Sequence, residues 1–214
     1  MNNQFERKAG FALIVFTILL VLTMVMHPAG GDVEHLIRIT PLIITTHSIA
    51  TFSLPFGLIG FWGLTRRIGT DNFWSVLAFG SISFGLVAVM IAAATNGLVM
   101  PVFLNNYKDA SAETIESIRP IMGYGFSINH AFDYIYTGAF LLSILCWSIS
   151  ILHTGKLPVW IGWAGGVLVI IIIGTIASGL AMSSLMGLRV FVSCIVIWIL
   201  LVGIRLTKKD PMVS

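Results

Sequence analysis

Six long apolar runs alternate with short polar breaks along the chain. They cover roughly residues 10–27, 41–64, 73–99, 122–152, 158–181 and 187–206. Each comes close to or exceeds the ~20 residues a helix needs to cross a bilayer. The pattern predicts an all-α integral membrane protein, one domain over 1–214 with six transmembrane helices. The first run follows Arg7 and Lys8, as in a signal peptide. No A-x-A cleavage site follows it, so a retained span is expected.

Breaks in the pattern mark the ends. Pro28 and Gly30-Gly31 close the first run, and Pro41 and Pro158 sit at helix starts, where a missing N–H costs nothing. Pro101 is expected to end the third span, and Pro55 to kink the second. The segments 31–40 and 109–120 read as short surface helices, the latter capped by Asp109.

One apolar run is interrupted in an unusual way. NHAFDYIYTG, 129–138, sets Asn129, His130 and Asp133 within five residues of the fourth span. His47 stands alone in the second. Ionisable groups inside a membrane are costly and tend to face the bundle interior, which makes both histidines candidates for function. Counted from the expected span ends, each lies about six residues in, or ~9 Å at 1.5 Å per residue. Asp133 is one turn from His130 and could hold its second ring N–H. Structural roles remain open beside these: interhelical hydrogen bonds with Thr46, Thr51 or Asn129, and an ion pair of Asp133 with Arg189 or Arg119. Asn96 and Asn129 join the candidate pocket, with Arg189 at its edge. His27 and His35 read chiefly as solvated loop residues able to complete a site. Met100, Met182, Met186 and Cys194 form a weaker thioether and thiolate set of the kind Cu(I) favours.

Composition agrees with the pattern. The chain is 57% hydrophobic and 10% charged, with a mean hydropathy of +0.97. Soluble domains carry about 25% charged residues. The formal charge of +3 does not imply nucleic acid, because the basic residues sit at helix ends and form no patch. Arg7, Lys8, Arg66, Arg67, Lys156, Arg205, Lys208 and Lys209 fall on one side, and Arg38, Lys108, Arg119 and Arg189 on the other. This bias expects both termini in the cytoplasm. Trp62, Trp74, Trp147, Trp160 and Trp163 gather near the same side, as an aromatic belt would. Cys146 and Cys194 fall in opposite leaflets. HExxH, G-x-S-x-G, Walker A and CxxCH are all missing, which removes support for the usual metalloprotease, hydrolase, nucleotide-driven pump and c-type cytochrome.

A faint repeat relates spans 2–3 to spans 4–5. Thr46-His47 parallels Asn129-His130, and NGLVM at 96–100 parallels SGLAM at 178–182. A duplicated hairpin would give a four-helix core flanked by spans 1 and 6. Gly57, Gly60, Gly63, Gly162, Gly165 and Gly166 read as close-packing positions. The overall pattern resembles small six-span bacterial membrane proteins on THSIATFSLPFGLIGFWGLTRR (46–67), TNGLVMP (95–101) and KLPVWIGWAGG (156–166). That resemblance implies a bacterial inner membrane and carries over no residue roles.

Three functions stay open. The first is a binding protein or transporter for a small molecule, ion or divalent metal, the metal held by His47, His130 and Asp133. The second is electron transfer through a b-type haem with His47 and His130 as axial ligands. The third is a structural subunit among partner proteins in the lipid bilayer.

Overall fold

The structure is a computed structural model that describes residues 3–179 and 184–208. Among these there is no strand, and six helices are long and apolar enough to cross a membrane. The first span is α1 (Asn3–Met26), and α2 (Val33–Arg38) is a short surface helix. The second span is α3 (Thr40–Ile68). The third combines α4 (Phe73–Ala94), a π-helical turn (Thr95–Val99) and α5 (Met100–Asn105). Then come α6 (Ala112–Thr154), α7 (Val159–Ala177) and α8 (Leu185–Thr207).

Local chemistry fixes several ends. Asp32 caps α2 by accepting from the His35 N–H at 2.8 Å, and Asn72 caps α4 by accepting from the Ser75 N–H at 3.1 Å. Gly155, at φ 62°, ends α6 in the left-handed conformation glycine tolerates.

Two expected ends move. Pro101 does not close the third span. In the π turn before it, the Met100 N–H reaches back to the Thr95 carbonyl. The hydrogen-bond ladder thus shifts by one residue just ahead of the proline, which has no N–H to offer. The expected surface helix at 109–120 is also not separate. Ser111 caps it by accepting from the Thr114 N–H at 3.3 Å, and the helix then runs through Pro120 into the fourth span.

The spans follow one another round a ring, α1–α3–α4–α6–α7–α8, and α8 closes it against α1. Spans 1 and 6 are therefore members of the bundle, not flanks of a four-helix core. Close approach between helices explains this. At Gly60 and Gly63 a Cβ would strike Leu13 and Ala9 of α1. At Gly10 it would meet the Gly203 carbonyl of α8 at 2.7 Å. Small residues let α1 wedge between both neighbours. The SGLAM half of the expected repeat lies partly outside the described residues, as does Met182.

One half of the ring is filled. Phe61 stacks on Trp147 with centroids 5.1 Å apart, and Trp147 faces Trp198 at 6.3 Å. Trp147 is fully buried, so it belongs to this stack and not to an aromatic belt. Its indole N–H donates to Thr65 Oγ1 at 3.1 Å, and the Trp198 N–H donates to the Ile161 carbonyl at 3.1 Å. Buried indole N–H groups are thereby satisfied. At this end the chain also carries the cationic residues expected on the inner side, except Lys209, which lies outside the described residues. Buried Glu6 meets Arg67 there at 3.3 Å. The other end is roofed by a second apolar cluster, in which Met100, Leu104, Ile118 and Met122 pack against Leu36 and Ile37 of α2.

Candidate functional site

Between the aromatic stack and that roof lies a cavity of ≈ 300 Å³. Its walls come from α1, α3, α4, α6 and α8, while α7 stays outside. Most of the wall is apolar: Phe16, Leu54, Leu86, Phe140, Phe191 and Ile195 are among the lining side chains. Polar groups gather on it from different elements. His27 follows the end of α1, His47 comes from α3, Asn96 from the π turn, and Asn129, His130, Asp133 and Tyr136 from α6.

His47 is 8% exposed. Its Nδ1 lies 2.8 Å from the Ile43 carbonyl. A carbonyl only accepts, so Nδ1 carries the proton, and in the neutral ring Nε2 is left as an acceptor. Gly97 of the π turn presses against the ring, where a Cβ would collide with it. The π turn thus has a visible role: it carries Asn96 into the cavity wall and brings bare backbone onto His47.

His27 lies 5.3 Å from His47, centroid to centroid. Its Nδ1 lies 3.1 Å from the Pro28 carbonyl. Burial pushes the imidazole below its ordinary pKa of 6.5, and the nearby Arg189 charge adds to this, against the opposing effect of the Pro28 bond. His27 is therefore a neutral member of the site, where the sequence suggested a solvated loop residue. Its position just past the end of the first span hid it, because a histidine there is ordinary for a loop.

Asp133 is 7% exposed. Its Oδ2 accepts from Asn129 Nδ2 at 3.2 Å, one turn back on the same helix face. The Tyr136 hydroxyl faces the same carboxylate. The expected partners of Asp133 are engaged elsewhere. Arg119 pairs with exposed Glu116 at 2.8 Å, and Arg189 donates to the His27 carbonyl at 3.4 Å, outside the cavity lining. Among the described residues, no Lys, Arg or His forms an ion pair with Asp133.

His130 lines the same cavity as His47 but is exposed, at the mouth. Among the described residues, no group of three or more His, Cys, Asp or Glu side chains gathers closely enough to hold a metal ion. The expected metal set of His47, His130 and Asp133 has no support here. Asp133 is tied to Asn129, and His130 is exposed while His47 is buried. The soft-ligand set fares no better: Met100 packs in the roof and Met186 is exposed. Cys194 is a free thiol off the cavity lining.

Fold and cavity together define a class: a polytopic, six-span membrane protein with a polar-ended cavity inside one half of its helix ring. No family model, curated protein or solved structure matches the chain.

Proposed function

We propose that this membrane protein binds a small molecule with an apolar body and a polar group in the cavity, as a binding protein or transporter. The observation that carries this reading is convergence. Side chains from four separate segments, His27, His47, Asn96 and the Asn129–Tyr136 stretch, meet on one cavity with otherwise mostly apolar walls. Concave, mostly apolar sites with a few placed polar groups are how proteins hold small ligands. The apolar wall would contribute roughly 25 cal/mol per Å² of ligand surface covered, and the polar end would set orientation.

The test is thermal unfolding of the purified protein in mild detergent against a panel of small amphipathic molecules. A true ligand at about 100 times its Kd stabilises by about 2.7 kcal/mol, and filling the cavity with Ala93→Phe should abolish that gain. Compounds that shift both proteins equally bind elsewhere and count against the reading.

Haem b with His47 and His130 as axial ligands is a second reading, favoured by one bond. An imidazole whose Nδ1–H is held by a backbone carbonyl, as His47 is by Ile43, is arranged as metal-ligating histidines are. When bound, haem would supply one-electron transfer. A Soret band lost in both His47→Ala and His130→Ala would select this reading, and a colourless protein would remove it. The proposal extends to topology: a bacterial inner membrane, both termini cytoplasmic and the cavity mouth outside. Its support is the bias of Lys and Arg toward the end opposite the cavity.

A further inference from the structure

We propose, building on the cavity reading above, that the ligand is an organic ammonium ion with an apolar body. The buried Asp133 carboxylate would receive its N–H or N–CH groups, and the Phe16, Phe140 and Phe191 wall its hydrocarbon. Three observations point this way.

The first is the carboxylate itself. Asp133 is almost fully buried, and its side-chain donors are both neutral, the Asn129 amide and the Tyr136 hydroxyl. A charge kept from water is costly unless paired. The titratable and charged groups around it are His130 and Tyr136 on its own helix, His27 just past α1, His47 from α3 and, beside His27, Arg189 from α8. Among the described residues none of them forms an ion pair with it. A ligand cation would supply the missing partner, and charge-assisted bonds are the strong ones.

The second is the sign of the remaining polar groups. His27 and His47 both commit Nδ1–H to backbone carbonyls, so each neutral ring offers only the Nε2 lone pair. One N–H of the Asn129 amide and the Tyr136 hydroxyl are directed at Asp133. No Lys or Arg is among the described lining residues. The polar end therefore combines the Asp133 carboxylate and the two Nε2 lone pairs with the Asn96 and Asn129 amides and no Lys or Arg, which suits a cation better than a carboxylate or phosphate.

The third is the wall. Aromatic faces attract cations through their quadrupoles, and the Phe191 ring lies 6.1 Å from Tyr136 and 6.2 Å from Phe140, centroid to centroid.

Three probes with the same body separate the possibilities: 4-phenylbutylamine, 4-phenylbutanol and 4-phenylbutyrate. At neutral pH the first is a cation and the last an anion. Binding is measured to the full chain in zwitterionic lipid nanodiscs, with empty nanodiscs subtracted. The amine should bind at least about tenfold more tightly than the alcohol, as one charge-assisted contact implies, and the acid should not bind. Asp133→Asn should bring the amine down to the level of the alcohol while leaving alcohol binding in place, which also shows that the variant is folded. The ranking of the three probes on the unaltered protein needs no variant. Equal binding of amine and alcohol would overturn the cation proposal and leave the cavity reading standing. Binding of none of the three would overturn both.

Discussion

At Gly97 the backbone of the third span comes so close to the His47 ring that any Cβ would collide with it. The ring is held from behind by its bond to Ile43, so it cannot retreat without losing that bond. Gly97→Ala should therefore destabilise by about 1–3 kcal/mol, the range for overpacking a filled site. Gly123→Ala is the contrast. Nothing lies within 4 Å of a Cβ there, and alanine in a helix is favoured over glycine by up to about 1 kcal/mol. Thermal unfolding of the two variants should shift in opposite directions. A second prediction belongs to His27, whose folded pKa lies below the ordinary 6.5. The unfolded chain then takes up the proton first as pH falls, so stability is full above about pH 6.5 and is lost below it. His47 lies 5.3 Å from the same ring, and the Arg189 charge opposes its protonation. Unfolding temperatures measured from about pH 7.5 down to about pH 5 should fall less steeply in His27→Gln; parallel curves would show that His27 is not a source of the loss. His47, Asn96, Asn129, His130 and Asp133 were legible as candidates because polarity inside an apolar run is conspicuous. His27 was legible only as a loop residue able to complete a site, and the Tyr136 hydroxyl not at all, since neither residue type is unusual where it sits.

The spans themselves were legible from the apolar runs, because each must present hydrocarbon to lipid over its whole length. Their ends were less so. Pro101 reads as a stop under α-helical rules, and only the π turn beside it lets the helix go on to Asn105. Which glycines carry packing was hidden too. Gly165 and Gly166 are neighbours of identical type on α7. A Cβ at Gly165 would strike Ser148 of α6 and approach the Trp198 indole of α8, whereas at Gly166 nothing lies within 4 Å. Periodicity alone cannot separate them, since the rotation of α7 in the ring decides which one faces inward. Gly165→Val should therefore loosen α7 from α6 and α8, with a loss of about 1–3 kcal/mol. Gly166→Val should stay within about 0.5 kcal/mol of the unaltered protein, as substitutions away from packed features do. Unfolding of both variants in the same detergent measures the difference; equal losses would mean that α7 does not seat against the ring through Gly165.

For the whole molecule, the ring closes through α1 and α8, the two spans that the faint repeat left at the margin. Nothing in their apolar runs marks them as inner or outer helices, because lipid and protein interior are both apolar. The closure matters for the site: Phe16 and His27 on one side and Phe191 on the other complete a cavity that the middle spans alone would leave open. It also ties the cavity to the proposed topology. The aromatic stack of Phe61, Trp147 and Trp198 fills the ring on the side of the chain termini, so a ligand would reach Asp133 from the mouth beside His130. If that mouth faces outward, a cysteine placed at exposed Tyr124, near the roof, should react in intact cells with a thiol reagent that cannot cross the membrane. One placed at exposed Trp160, at the other end, should react only after the membrane is opened. Cys146 and Cys194 are first replaced by alanine, and labelling at Trp160 before permeabilisation would reverse the assigned orientation. An amine ligand protecting the Tyr124 site but not the Trp160 site would further tie the accessible end to the cavity.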